Sequence, residues 1–274
     1  MFAQDFVRNA YLAGTPIALA CGLIGWFVVL RRQVFAGDAL SHVAFVGAIA
    51  AAAVGVDVRV GLFALTLAVA GAMAGLGRHA GEADDAVIGT VFAWILGIGV
   101  LLLAVLATTP GGGNGATLAN TLFGSIYSLT TSGAQIAAAI ALAVVVALGM
   151  IMRPLLLTTL DAEQAAARGV PTRAMGMVFL GVLGVVTAES TQAVGALLLL
   201  GLIAAPAGAA HLLTARPYTG VLLSAGIALA SMWAGLALSY AVPGLPPSTA
   251  IIALAASAYV MAGLYTIQRH TKRR

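Results

Sequence analysis

Long apolar runs alternate with short polar or charged stretches along most of the chain. A helix needs about 20 apolar residues to cross the hydrocarbon core of a bilayer, which is roughly 30 Å thick. The runs are continuous and longer than the alternating ten-residue segments of membrane β-barrels, so they predict helices. Nine such spans can be drawn, at about 10–30, 38–56, 60–77, 86–107, 133–152, 174–187, 193–212, 219–241 and 248–267.

Composition supports a membrane protein. Of the 274 residues, 61% are hydrophobic and only 8% are charged, whereas a soluble domain carries about 25% charged residues. No polar stretch between the spans is long enough to form an appended soluble domain. We therefore expect an all-α, polytopic transmembrane helical bundle of about eight to nine spans, forming one domain over residues 1–274. The 33 glycines fit helices that pack closely in lipid.

The distribution of basic residues predicts the orientation, because cytoplasmic loops of membrane proteins are enriched in Lys and Arg. With nine spans, eleven of the 13 basic residues lie on one side, and only Arg8 and Arg59 lie on the other. The N-terminus is therefore expected outside and the C-terminus in the cytoplasm. This asymmetry accounts for the net charge of +4, so no nucleic-acid partner is indicated.

The region around residue 190 departs from a simple bundle. The span 174–187 would cover about 21 Å at helical rise, less than the hydrocarbon core, and it is followed by the polar stretch Thr187–Gln192. Short or Gly/Pro-interrupted spans in transporters often mark the permeation path. Glu189 and Gln192 are therefore candidate gate residues. The alternative is a short outer loop followed by a kinked helix.

Asp38 and His42 are the strongest candidates for metal chemistry. They are four residues apart, which places them on one face of a helix within side-chain reach. A carboxylate and an imidazole make half of a site for Zn²⁺, Mn²⁺ or Fe²⁺, and a symmetric second copy would complete it. The alternative is that Asp38 caps the helix after Gly37 and that His42 is a polar residue with its own partner.

The longest cytoplasmic loop, Thr159–Pro171, predicts a short helix. Thr159 or Asp161 can cap its start, its alanines favour helix, and Gly169 and Pro171 end it. Such a helix between spans is either a docking element for a cytoplasmic partner or a surface turn. The docking candidates are Asp161, Glu163, Arg168, Gly169 and Pro171.

The chain cannot bind ATP through a GxxxxGK[ST] loop, because its only lysine is Lys272. Energy from ATP must therefore come through a partner subunit. His211 lies beside Arg216 at an inner helix end and is expected to be solvated or at the headgroups.

Taken together, five blocks resemble the membrane subunit of the metal-type ABC importers, the family that takes up zinc, manganese or iron. The blocks occur in the family's order at Leu30–His42, Asp84–Leu102, Leu122–Leu129, Asp161–Pro171 and Val194–Ala210. The first is similar to the family's arginine turn followed by Gly-Asp-x-x-Ser/Ala-His. The fourth is similar to its coupling helix. Two departures are that Val43–Gly47 lacks a proline found in many relatives, and that His211 stands where relatives usually carry Arg.

The resemblance implies a multi-pass permease of the bacterial cell (inner) membrane that is not itself an enzyme. It implies a homodimer with a cytoplasmic ATP-binding subunit docked on the Asp161–Pro171 helix, and a periplasmic or lipid-anchored metal-binding protein outside. Family members use the residues matching Asp38 and His42 for metal coordination. The divalent metal is then the transported substrate, and no cofactor is bound by this chain.

Three other functions are compatible with the sequence. A permease of the same class would carry a metal chelate or other small cargo, and a ligand-poor cavity would favour it. An ion-coupled secondary transporter would need no ATPase. A membrane scaffold would tolerate apolar replacement of Asp38, His42 and Glu189.

Overall fold

The structure is a computed structural model that describes residues 4–76, 84–108, 124, 126–196, 199–242 and 244–271. Within these ranges it contains helices and no strands, which confirms the predicted all-α class. These ranges also contain a 3₁₀ turn, Ile126–Ser128. The α-helices are α1 Asp5–Leu30, α2 Val34–Ala53, α3 Val58–Leu76, α4 Asp85–Thr108, α5 Thr131–Leu160, α6 Ala162–Ala167, α7 Thr172–Val194, α8 Leu199–Leu213, α9 Pro217–Ala241 and α10 Pro247–Thr271.

Eight helices of the described chain are long and apolar enough to cross a membrane, namely all except α6 and α8. Helix α8 is apolar but has only 15 residues, so it reaches about 22 Å at helical rise. The predicted count of eight to nine spans therefore holds, with α8 as the ninth, short segment.

The predicted boundary at residue 187 is wrong. Helix α7 continues to Val194 and has 23 residues, or about 35 Å, so Thr187–Gln192 is helical and not a loop. The helix tolerates these polar residues because their hydroxyls bond to its own backbone. Thr187 donates to the Gly184 carbonyl at 3.0 Å, and Thr191 donates to the Thr187 carbonyl at 2.6 Å. The short apolar helix is therefore α8.

The chain packs as two compact units. The first contains residues up to Arg32, from Ser125 to Met150, and from Leu200 onwards; the second contains Gln33–Gly124 and Ile151–Leu199. Helix α5 contributes to both. Within the first unit, α1 packs on α9, and the Ser224 hydroxyl donates to the Gly22 carbonyl at 2.6 Å.

In the second unit, α3 packs against both α2 and α7. Ala44, Ala48, Leu62 and Ala188 form one of its buried clusters. Helices α2 and α3 approach so closely that a Cβ atom on Gly47 would lie 2.5 Å from the Gly61 carbonyl oxygen. Small residues thus permit backbone contact, as expected for helices packed in lipid.

Some predicted features lie outside the described residues. They are residues 122, 123 and 125 of the Leu122–Leu129 block, residues 197–198 of the Val194–Ala210 block, and the basic residues Arg78, Lys272, Arg273 and Arg274.

Candidate functional site

Asp38 and His42 lie on one face of α2, as their spacing predicts. The Asp38 Oδ1 and His42 Nε2 atoms are 4.0 Å apart. Helix α2 begins at Val34, with Gln33 as its N-cap residue. Asp38 is therefore in the second turn of the helix, and the alternative that it caps the helix is wrong. Both side chains are partly exposed, His42 by 18% and Asp38 by 28%.

The surroundings of the pair hold the His42 ring and the backbone at Asp38. The His42 ring is tilted against the Phe92 ring of α4, with 5.4 Å between centroids. Phe35 meets the same Phe92 ring edge-on at 6.0 Å. The buried Ser41 hydroxyl donates to the Asp38 carbonyl at 2.7 Å and lies 3.0 Å from the Ala196 carbonyl oxygen. This part of α2 is thereby tied to the turn after α7.

The pair is a two-ligand site within the described part of the chain. No group of three or more His, Cys, Asp or Glu side chains that could hold a metal ion occurs among the residues that the structure describes. An imidazole and a carboxylate together suit transition metals such as Mn²⁺, Fe²⁺ and Zn²⁺. Their remaining coordination positions would need water or groups from another molecule.

Glu189 forms a buried ion pair that the sequence did not reveal. Its Oε1 atom accepts from Arg59 Nη2 at 3.2 Å. Arg59 lies at the start of α3, and its side chain is 21% exposed, while that of Glu189 is only 3% exposed. The interpretation of Glu189 as part of an outer loop is therefore wrong. The sequence feature that could have drawn attention to Arg59 is its position as one of two basic residues on the side poor in Lys and Arg.

Gln192 lies one turn beyond Glu189 on α7. Residues three apart on a helix are neighbours on its surface. Glu189 Oε2 and Gln192 Nε2 are both buried and have no hydrogen-bond partner in the described structure. Buried polar atoms are nearly always satisfied, so these two unpartnered atoms are exceptions to that rule.

The loop between α5 and α7 contains the predicted short helix, α6. The Asp161 carboxylate accepts from the Gln164 backbone N–H at 2.8 Å and caps the helix. Arg168 is the C-cap residue, and Gly169 follows with φ +79, a left-handed conformation that favours glycine. Ala165 is buried. The five predicted docking residues are all exposed: Asp161, Glu163, Arg168, Gly169 and Pro171.

His211, in the first unit, is held by protein contacts. Its ring stacks on the Trp26 ring with 4.9 Å between centroids, and its Nε2 atom lies 3.1 Å from the Trp26 carbonyl oxygen. His211 is only partly buried, near the end of α8, so the expectation of a solvated or headgroup position stays a prediction, and the contacts with Trp26 are an addition to it. Sequence spacing gave no signal for this contact, because Trp26 and His211 are 185 positions apart.

Comparisons with known proteins agree with this architecture. A family model described as the ABC 3 transport family matches residues 3–266. The manganese transport system membrane protein MntC of Halalkalibacterium halodurans is 26% identical over 266 residues, covering 97% of this chain and 89% of that protein. The manganese transport system membrane protein MntD of Bacillus subtilis is 31% identical over 229 residues, covering 77% of this chain and 76% of that protein.

The fold is shared with a solved structure, PsaBC from Streptococcus pneumoniae in complex with Fab. One of its chains matches with a TM-score of 0.81 at 23% identity, covering 94% of this chain and 91% of that chain. The family match, the relatives and the spanning helices agree across nearly the whole length. The chain therefore belongs to the ABC 3 transport family and is a multi-pass permease of the metal-type ABC importers in the bacterial inner membrane, as its sequence predicts.

Proposed function

We propose that this chain is the permease subunit of an ATP-driven importer of a divalent transition metal ion, zinc or manganese and also ferrous iron. Manganese is favoured, because the relatives MntC and MntD are named for manganese transport. Residues 1–274 act as one permease domain, which works as a homodimer. A cytoplasmic ATP-binding subunit hydrolyses ATP, and an external binding protein delivers the ion.

The observation that carries this proposal is the Asp38–His42 pair. Its two ligating groups lie 4.0 Å apart and remain partly exposed. A divalent ion taken out of water needs anionic ligands, because the desolvation cost of an unpaired charge is very large. Two copies of the pair supply two carboxylates and two imidazoles, which neutralise the ion and replace part of its water. So few ligands also let the ion leave again, as transport requires.

The proposed orientation has the N-terminus outside and the C-terminus in the cytoplasm. It follows from counting α8 as a crossing, because an odd number of crossings puts the termini on opposite sides. In this orientation α6 lies on the cytoplasmic side, with its capping residue Asp161 and its exposed Glu163 and Arg168 available to the ATPase. Closure of the ATPase pair would then move α6 together with α7, because the two helices are in contact and Ala165 of α6 is buried.

The test is metal uptake by cells that express the permease with the two partner subunits. Asp38→Asn and His42→Gln are each expected to reduce ⁵⁴Mn²⁺ uptake by more than tenfold at unchanged permease level, because each removes a ligand from both copies. Asp5→Asn is the matched control, since Asp5 is exposed and its pair with Arg8 is a surface pair of little energetic value. Normal uptake by Asp38→Asn would remove the metal-site assignment.

The same assay separates the rival functions. A permease for chelated metal would take up the ion only with its chelator, and Asp38→Asn would leave that uptake intact. A secondary transporter would continue after inactivation of the ATPase subunit by mutation. The proposed function requires uptake of the free ion that stops with the ATPase.

A further inference from the structure

Arg59, Glu189 and Gln192 together contain buried polar atoms that take no part in the Arg59–Glu189 ion pair. Glu189 is nearly fully buried, yet only its Oε1 atom has a partner, Arg59 at 3.2 Å. Its Oε2 atom and the Gln192 Nε2 atom are buried and unpartnered in the described structure. A carboxylate with one unpartnered oxygen and an amide one helical turn away on the same helix can offer oxygen ligands to a cation, since rotation of the amide exchanges its oxygen and nitrogen positions.

We propose that Glu189 and Gln192 form a second cation site, at which Arg59 is the resident counter-ion and an incoming hard divalent cation takes its place. Carboxylate and amide oxygens are the ligands that Mn²⁺, Mg²⁺ and Ca²⁺ prefer. The cation would bind the two Glu189 oxygens and the Gln192 amide oxygen, and water would complete its coordination.

The burial of the two charged partners makes this exchange feasible. The Glu189 side chain is 3% exposed and cannot leave, whereas that of Arg59 is 21% exposed and lies at the start of α3. The guanidinium can therefore turn towards water while the carboxylate stays in place. A buried carboxylate left without a counter-charge would be costly. Replacement of one cation by another avoids this state.

The site lies within the same unit as Asp38 and His42. Gly37 faces Leu183, because a Cβ atom on Gly37 would lie 3.9 Å from Leu183 Cδ1. Glu189 is six residues further along α7, or about 9 Å at helical rise. In the proposed orientation that displacement is towards the outside. The oxygen site would then collect hard divalent cations first, and the imidazole of His42 would favour transition metals after it.

The cation-binding part of this inference does not depend on the proposed function, although its place on an import route does. It can therefore be tested in a variant in which the ligating groups of Asp38 and His42 have been removed by substitution. The full-length chain carrying Asp38→Asn and His42→Gln is placed in lipid nanodiscs and titrated with Mn²⁺. Free Mn²⁺ is measured from its six-line electron paramagnetic resonance signal, which is lost when the ion binds.

In this background, Arg59→Gln removes the competing cation. It is expected to bind about one Mn²⁺ per chain at least tenfold more tightly than the parent with Arg59. Adding Glu189→Gln to Arg59→Gln is expected to abolish that binding. Equal Mn²⁺ binding with and without Glu189→Gln would overturn the proposal.

A second variant covers the case in which Arg59→Gln does not fold. Gln192→Leu leaves the ion pair intact and removes only the amide ligand. It is expected to weaken Mn²⁺ binding by about tenfold relative to the parent, and an unchanged affinity would refute the site as described. Because the background lacks Asp38 and His42, neither result depends on whether that pair conducts metal. Conversely, normal metal uptake by Asp38→Asn in cells would not affect the conclusion about Mn²⁺ binding at Glu189 and Gln192.

Discussion

The Arg59–Glu189 pair makes an asymmetric prediction for stability, because its two members are buried to different degrees. Arg59→Gln leaves the Glu189 carboxylate, 3% exposed, without a counter-charge. Removal of one partner of a buried ion pair costs about 3–5 kcal/mol. Glu189→Gln instead leaves a guanidinium that is 21% exposed and can turn to water. The stability lost in this variant should be about 1.5–3 kcal/mol, the range of a hydrogen bond with a charged group.

The difference of about 2 kcal/mol between the two variants corresponds to roughly a 30-fold change in the ratio of folded to unfolded protein. The double variant sharpens the test, since two neutral amides can hydrogen-bond to each other. Arg59→Gln/Glu189→Gln should be more stable than Arg59→Gln alone, with a coupling energy of about 2 kcal/mol between the two positions.

The assay is unfolding of the purified chain by titration with SDS in mixed micelles, with helicity and tryptophan fluorescence as probes. A chelator is present throughout, so that no divalent cation compensates the buried carboxylate. Arg8→Gln is the matched control, because Arg8 is an exposed arginine whose pair with Asp5 lies at the surface. Equal losses for the two single variants, adding up in the double variant, would refute the assigned burial and pairing of Glu189.

Two further predictions concern helix packing and capping. Gly47→Ala should lower the free energy of unfolding by about 1–3 kcal/mol, because the added methyl group pushes α2 and α3 apart. The same SDS titration measures this loss. Gly71→Ala is the control and should not destabilise the chain, because the space around Gly71 is open. Asp161→Ala should cost about 1 kcal/mol of local stability in α6 and speed amide hydrogen exchange there, while Asp161→Asn, also a good cap, should preserve protection. Unchanged exchange in Asp161→Ala would contradict the observed cap.

The spans were predictable because each apolar run approaches the thickness of the hydrocarbon core, and α6 was predictable because its start and stop residues are local. Asp161, Gly169 and Pro171 act within one or two turns of their own positions. The register of Asp38 and His42 follows from helical periodicity in the same way. The position of Asp38 inside α2, rather than at its cap, needed the observed helix start at Val34.

The end of α7 was not predictable from hydropathy, because Thr187–Gln192 has the composition of a loop. Two interactions keep this segment helical. One is local, since the hydroxyls of Thr187 and Thr191 donate hydrogen bonds to backbone carbonyls of the preceding turn. The other joins residues 130 positions apart, since Arg59 neutralises Glu189. Single-sequence periodicity contains no information on such a distant partner, and the contact of His211 with Trp26 was missed for the same reason.

Asp38 and Glu189, which both lie in the second unit, differ in how their charge is compensated, and this difference bears on their roles. The counter-ion of Glu189 is Arg59 of the same chain, so Glu189 can stay buried without a bound cation and without a second copy of the chain. Asp38 has only a 4.0 Å contact with His42, which is a cation only when protonated, and it keeps 28% of its side chain exposed. A carboxylate held in that way gains the most from an external cation. In the proposed function a metal ion and a second copy complete the Asp38 pair, whereas the charge of Glu189 is already balanced by Arg59, which a divalent cation would have to displace.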